Sequence, residues 1–175
     1  LAALLMTLFL CWRFRLSFAA GAMASLIFDV TTTTSLLVIL GQEIDLNIVA
    51  ALLTIIGYSL NDTIVIYDRI RETLRRENPD SPRPLPEIIQ EALGDTMSRT
   101  LLTAGTTLVA ALALFLLGGP VIYGFALTML IGVFMGTISS LFVAAPMLPL
   151  FGDTLSFKTA VTLGVFERPG EHGVV

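Results

Sequence analysis

The stretch GYSLNDTIVIYDRI, residues 57–70, decides how this chain is read. It closes an apolar run that begins near Leu46 and continues for more than roughly 20 residues, the length a helix needs to cross a bilayer core. The Asn61–Asp62 pair sits inside that run, where hydrocarbon is expected. A carboxylate at such a depth costs a few kcal/mol unless it is paired or hydrated, so it marks a functional site with a partner to be found.

The composition supports a membrane reading. Of 175 residues, 55% are hydrophobic and only 14% are charged, against about one quarter charged in soluble domains. The mean hydropathy is +0.85. Apolar segments fall at about 1–12, 16–40, 46–67, 100–118 and 121–150. Each is expected to be a helix, because a spanning backbone must satisfy its own hydrogen bonds. The chain opens with Leu1 in mid-run, so segment 1–12 reads as the end of a longer span. Segment 121–150 is long enough to project past the membrane or to kink near Pro146 and Pro149. The fold class is therefore an all-α polytopic transmembrane helix bundle.

Basic residues orient the bundle. Arg13 and Arg15 follow the first segment. Arg69, Arg71, Arg75, Arg76, Arg83 and Arg99 lie in or beside the connection 68–98, and Lys158 and Arg168 follow the last segment. Connections 41–45 and 118–121 hold no Lys or Arg. By the positive-inside rule, 68–98 and the C-terminal tail 151–175 are cytoplasmic. Within 68–98, YDRIRETLRRE extends the third span as a charged helix with Glu72 and Arg76 at a supporting four-residue spacing. NPDSPRP breaks it. LPEIIQEALGDT then gathers Ile88, Ile89, Ala92 and Leu93 on one face behind Pro86, as either a short amphipathic helix on the membrane surface or a connector packed on the bundle.

Three ionisable residues lie in or at the edge of the apolar spans: Asp29, Asp62 and Arg99. Helical spacing puts Tyr58, Ser59 and Ile55 on the face of Asp62, and Thr103 and Thr106 on the face of Arg99. Asp62 and Arg99 reach similar depths, so an Asp–Arg–Thr cluster between the third and fourth spans is expected. Asp29 precedes Thr31, Thr32, Thr33 and Thr34, whose hydroxyls bond backwards to the helix or across to neighbours. In this division Asp62 carries a proton or ion, Arg99 is the fixed counter-charge, and the hydroxyls of Ser59, Thr103 and Thr106 host water or protons. Gly132, Gly136 and Ser140 form a small-xxx-small line expected to be a helix-packing surface. Cys11 excludes an internal disulfide, and His172 lacks partners for metal or catalysis. No phosphate-binding loop, HExxH or Ser/His/Asp set is present, so work would draw on an ion gradient and not on ATP.

At these residues the sequence resembles a known family. GYSLNDTIVIYDRIRE (57–72), SRTLLTAGTTLVAALALFLLGGPVIYGFALTMLIG (98–132) and GTISSLFVAAP (136–146) are similar to the membrane region of the SecD/SecF protein-export family, on its SecF side, over about residues 1–150. The resemblance implies the RND superfamily, six helices per subunit of which this chain would hold five, and a pseudo-symmetric pairing with SecD. It implies proton flow, or sodium flow in some bacteria, coupled to preprotein translocation through the SecYEG translocon at the bacterial inner membrane, with accessory subunits such as YajC. It further implies that Asp62, in the Asn61–Asp62 motif, and Arg99 belong to the ion-coupling site, with no cofactor, no metal, no nucleic acid and no enzymatic step. The family commonly has an acidic residue matching Asp29, often preceded by His, where this chain has Phe28. The rival readings are an RND-type exporter of small molecules or lipids and a non-transporting membrane scaffold.

Overall fold

The computed structural model describes residues 16–76 and 83–151. Segment 1–12 with Cys11, most of the tail 151–175 with His172, and much of the NPDSPRP break lie outside those residues. Four helices account for most of the rest: α1 (Leu16–Ile39), α2 (Leu46–Arg76), α3 (Leu85–Leu117) and α4 (Pro120–Ser139). A π-helical turn, Ser140–Ala144, and a 3-10 turn, Leu148–Phe151, follow α4. The four helices, with the π turn added to α4, are each long and apolar enough to cross a membrane. Among the described residues there is no strand.

Local chemistry sets the ends. Gly41, at φ 70°, lets α1 close. Its N–H bonds Val38 O and the Gln42 N–H bonds Leu37 O, both at 3.0 Å, which is the paired pattern that satisfies the last carbonyls of a helix. Asp45 caps α2, with its Oδ1 accepting from the Ile48 N–H at 2.8 Å, a bond that satisfies one orphan donor of the first turn. Gly118 ends α3, and Gly119, at φ 73°, turns the chain directly into Pro120 at the start of α4.

The helices run up and down, and α4 packs on α1, α2 and α3. Close approach comes from the glycines expected to serve it. A Cβ on Gly132 would run into the Ile55 side chain, and one on Gly136 would meet Ser59 Cβ at 3.4 Å. Small residues at such crossings let backbones approach in a medium that offers no hydrophobic drive. Ser140, the third member of that line, is fully buried and opens the π turn, with its hydroxyl returned to Thr137 O at 3.0 Å. Helix α4 thus leaves α-geometry at Ser140, ahead of Pro146, whose missing N–H cannot continue the ladder. Tyr67 seals this corner. Its hydroxyl donates to Ala144 O at 3.0 Å, its ring meets Phe18 edge-on at 5.0 Å, and Gly21 leaves the space that the phenol occupies.

Of the two readings of LPEIIQEALGDT, the connector packed on the bundle holds and the surface helix does not. LPEIIQEALGDT is not a separate surface helix: it is the first third of α3, continuous with the span. Ile88, Ile89 and Ala92 are buried against Ile66, Tyr67, Ile70 and Leu74 of α2. The physical reason is that α2 also overruns the membrane. At a rise of about 1.5 Å per residue, helices of 31 and 33 residues outreach a core of about 30 Å, and their protruding apolar faces cover one another. Arg69 then ties the two, donating to Asp95 at 2.6 Å and to Glu72 at 2.5 Å. Arg76 pairs with Glu72 at the anticipated four-residue spacing.

Candidate functional site

Two polar clusters occupy the apolar interior, and both are built on α2. One faces α1 and α4. Asp29 of α1 is fully buried, and Ser59 of α2 donates its hydroxyl proton to Asp29 Oδ2. Ser139 of α4 also borders Asp29, and it shares a 2.8 Å hydrogen bond with Ser25, one turn before Asp29 on α1. Gly136 makes the approach possible, since a Cβ there would come within 3.8 Å of Asp29 Oδ2.

The other cluster lies between α2 and α3. Asp62 is 4% exposed, and its Oδ2 has no hydrogen-bond partner. Arg99 of α3 stands near enough for its charge to act on Asp62, yet among the described residues it forms no ion pair. Arg99 instead lines an open cleft of about 360 Å³ between α2 and α3 at the Arg-rich end, with Asp68, Arg69, Glu72 and Asp95 around it. One turn before Asp62 on α2, the Tyr58 phenol stands among the hydroxyls of Thr103, Thr107 and Thr137 without closing a hydrogen bond to any of them. Thr100 is buried next to Arg99 in the sequence, and its hydroxyl too is unpaired.

Most buried polar atoms in folded proteins find a partner. Among the described residues, atoms on Asp29, Asp62, Tyr58, Thr33 and Thr100 are not satisfied by the chain's own groups, which sets this interior apart from an ordinary apolar core. A buried carboxylate in this setting can be neutralised by a proton or by a cation, and hydroxyls can pass the one or coordinate the other.

The expected residues are thus divided. Asp62 and Arg99 come to adjacent helix faces, but Ser59 serves Asp29 and not Asp62. Thr103 is half-buried beside Tyr58, with its hydroxyl also returned to Arg99 O at 3.1 Å. Thr106 points outward, its hydroxyl on Thr103 O at 3.0 Å, in a shallow apolar groove with Leu101, Leu102 and Val109. Asn61 is likewise exposed on the outer face of α2. Ser59 and Thr106 are displaced for one reason: spacing gives the face of a helix but not which neighbour it meets. Thr100, Thr107, Thr137, Ser25 and Ser139 were not anticipated. Thr107 sits four residues after Thr103, and Ser139 three after Gly136, so the helical period held the signal once the packing was known.

The fold and its interior define a class: a polytopic helical membrane protein whose spans bury carboxylates and hydroxyls. Residues 1–154 match the family described as "Protein export membrane protein SecD/SecF, C-terminal", and the chain belongs to that family. A protein translocase subunit SecF from Escherichia coli O157:H7 is 50% identical over 83% of this chain and 44% of its own length. That from Vibrio alginolyticus is 47% identical over 79% of this chain and 43% of its own. The crystal structure of SecDF, a translocon-associated membrane protein from Thermus thermophilus, matches with a TM-score of 0.79 at 37% identity, over 84% of this chain and 20% of that one. The chain thus spans about half the length, or less, of the relatives it matches.

Proposed function

We propose that this chain is the membrane half of an ion-gradient-coupled subunit of the bacterial protein-export machinery. It works at the inner membrane beside a SecD-type partner, assisting preproteins through the SecYEG translocon. Relatives named SecDF support the pairing, one of them a Brucella abortus chain 46% identical to this one over 145 residues. The energy is that of a charge moving across the membrane, about 2.3 kcal/mol per elementary charge at 100 mV, and not of a chemical step on a cofactor.

The observation that carries this reading is the Asp62 carboxylate, buried between two helices with one oxygen unpaired, while Arg99 stands nearby at a water-accessible cleft. Taking up or releasing a positive charge at Asp62 changes the charge balance between α2 and α3, and the two helices repack in response. Tyr58, Thr103, Thr107 and Thr137 extend the polar lining from Asp62 deeper into the bundle.

The test is Asp62→Asn in the full-length protein with its partner. Assembly stays intact, and stimulation of preprotein export by an imposed ion gradient is lost. Unchanged stimulation removes Asp62 from the coupling and leaves a scaffold role.

A further inference from the structure

The end of α4 is held by another helix as much as by its own backbone. At Ser140–Ala144 the helix widens into a π turn, and Pro146, two residues on, has no N–H to give. The Met147 N–H reaches back to Val143 O and the Leu148 N–H to Ala145 O, both at 3.2 Å. Leu148 thereby passes over Ala144 O, the carbonyl it would serve in an α-helix. A buried carbonyl needs a donor, and Ala144 O takes one from the Tyr67 phenol of α2 at 3.0 Å.

Three elements meet at that bond. Tyr67, Ala144 and Ala145 are fully buried and Leu148 nearly so, with the π turn packed on α1 and α2 and the 3-10 turn on α1. Gly21 of α1 gives the contact its room: a Cβ there would run into the Tyr67 hydroxyl and come within 3.2 Å of Ala144 O. One turn further along α1, Ser25 bonds Ser139, the last α-helical residue of α4. The α1–α4 seam is thus fastened by polar groups on both sides of the point where α4 changes geometry. Helices bend where their ladder is interrupted, at π turns and at proline, and both interruptions fall here.

We propose that the Ser140–Ala144 turn is a hinge and the Tyr67–Ala144 hydrogen bond its latch: opening the latch frees Ala145–Phe151 to swing away from α1 and α2 while Pro120–Ser139 stays packed. The hinge uses none of Asp29, Asp62 and Arg99 and does not depend on ion coupling.

The test is backbone hydrogen exchange, read by mass spectrometry, on the full-length protein with its partner in lipid nanodiscs. Local opening exposes the amides of the segment that moves and no others. Tyr67→Phe raises exchange over residues 145–151 by about tenfold or more and leaves residues 126–139 at the wild-type rate. Gly21→Ala presses on the same hydroxyl from α1 and gives the same local rise, which decides the matter if Tyr67→Phe does not assemble. Pro146→Ala restores the missing N–H, so the backbone holds its own end; adding Tyr67→Phe to it then changes exchange by no more than about twofold. No rise over 145–151 in an assembled variant, or a rise spread evenly along α4, overturns the hinge. A double variant that exchanges as fast as Tyr67→Phe alone overturns it too, because the hydroxyl would then act independently of the broken ladder.

Discussion

Asp62 and Arg99 stand on neighbouring helices close enough to feel one another's charge and do not form an ion pair. The acid is buried and the base is open to a cleft. A closed pair would hold both charges in place. The observed separation leaves each free to respond to the other.

Arg99→Met follows from that separation. Because Arg99 is exposed and makes no salt bridge among the described residues, its loss changes stability by no more than about 0.5 kcal/mol, as for most exposed positions. Ion conduction by the full-length protein under a gradient falls sharply. Melting curves and vesicle ion-flux measurements check the two halves; a large stability loss with normal flux contradicts both.

Gly132→Val probes the crossing of α2 and α4. The added carbons overlap Ile55, and overpacking of this kind costs about 1–3 kcal/mol. Pairing it with Ile55→Ala returns the space, so the double variant is more stable than Gly132→Val alone. Thermal unfolding of the three variants reads the coupling directly.

Tyr67→Phe removes only the hydroxyl that reaches the Ala144 carbonyl at 3.0 Å. A buried carbonyl without its donor is expected to cost about 1–3 kcal/mol. The ring contact with Phe18 survives, so the loss is smaller than for Tyr67→Ala, as chemical denaturation of the three proteins will show.

Arg69→Met tests the charged extension. The Arg69 hydrogen bond and charge hold the Glu72 carboxyl below its ordinary range. A carboxylate depressed in the folded state adds stability at neutral pH, which is lost as pH falls through its folded-state value. Wild type therefore loses α2–α3 tip stability on acidification, and Arg69→Met shows less of that loss. Carboxyl carbon NMR titration of Glu72 follows it, moving up in the variant.

The sequence made the helices, their packing glycines and the buried acids Asp29 and Asp62 legible, because apolar length, small-residue spacing and misplaced charge are local signals. It did not reveal the partners. Ser59 meets Asp29 thirty positions away and Ser25 meets Ser139 at 114, and such pairings depend on how helices cross, which a period of 3.6 does not encode. The fusion of LPEIIQEALGDT into α3 was hidden for a similar reason. Its apolar face fits a lipid surface and the side of α2 equally well, and only the overhang of α2 decides between them.

That overhang has a mechanical consequence. Helices α2 and α3 each run on unbroken past the thickness of a bilayer core and are tied side by side through Arg69 and Asp95, so a tilt of one carries the other with it. A tilt of a few degrees at the buried acid, too slight to disturb the packing around it, becomes a displacement of ångströms at the far tip. Under the function proposed above, that leverage is the route by which electrical work done among the lipids would reach the water beyond them.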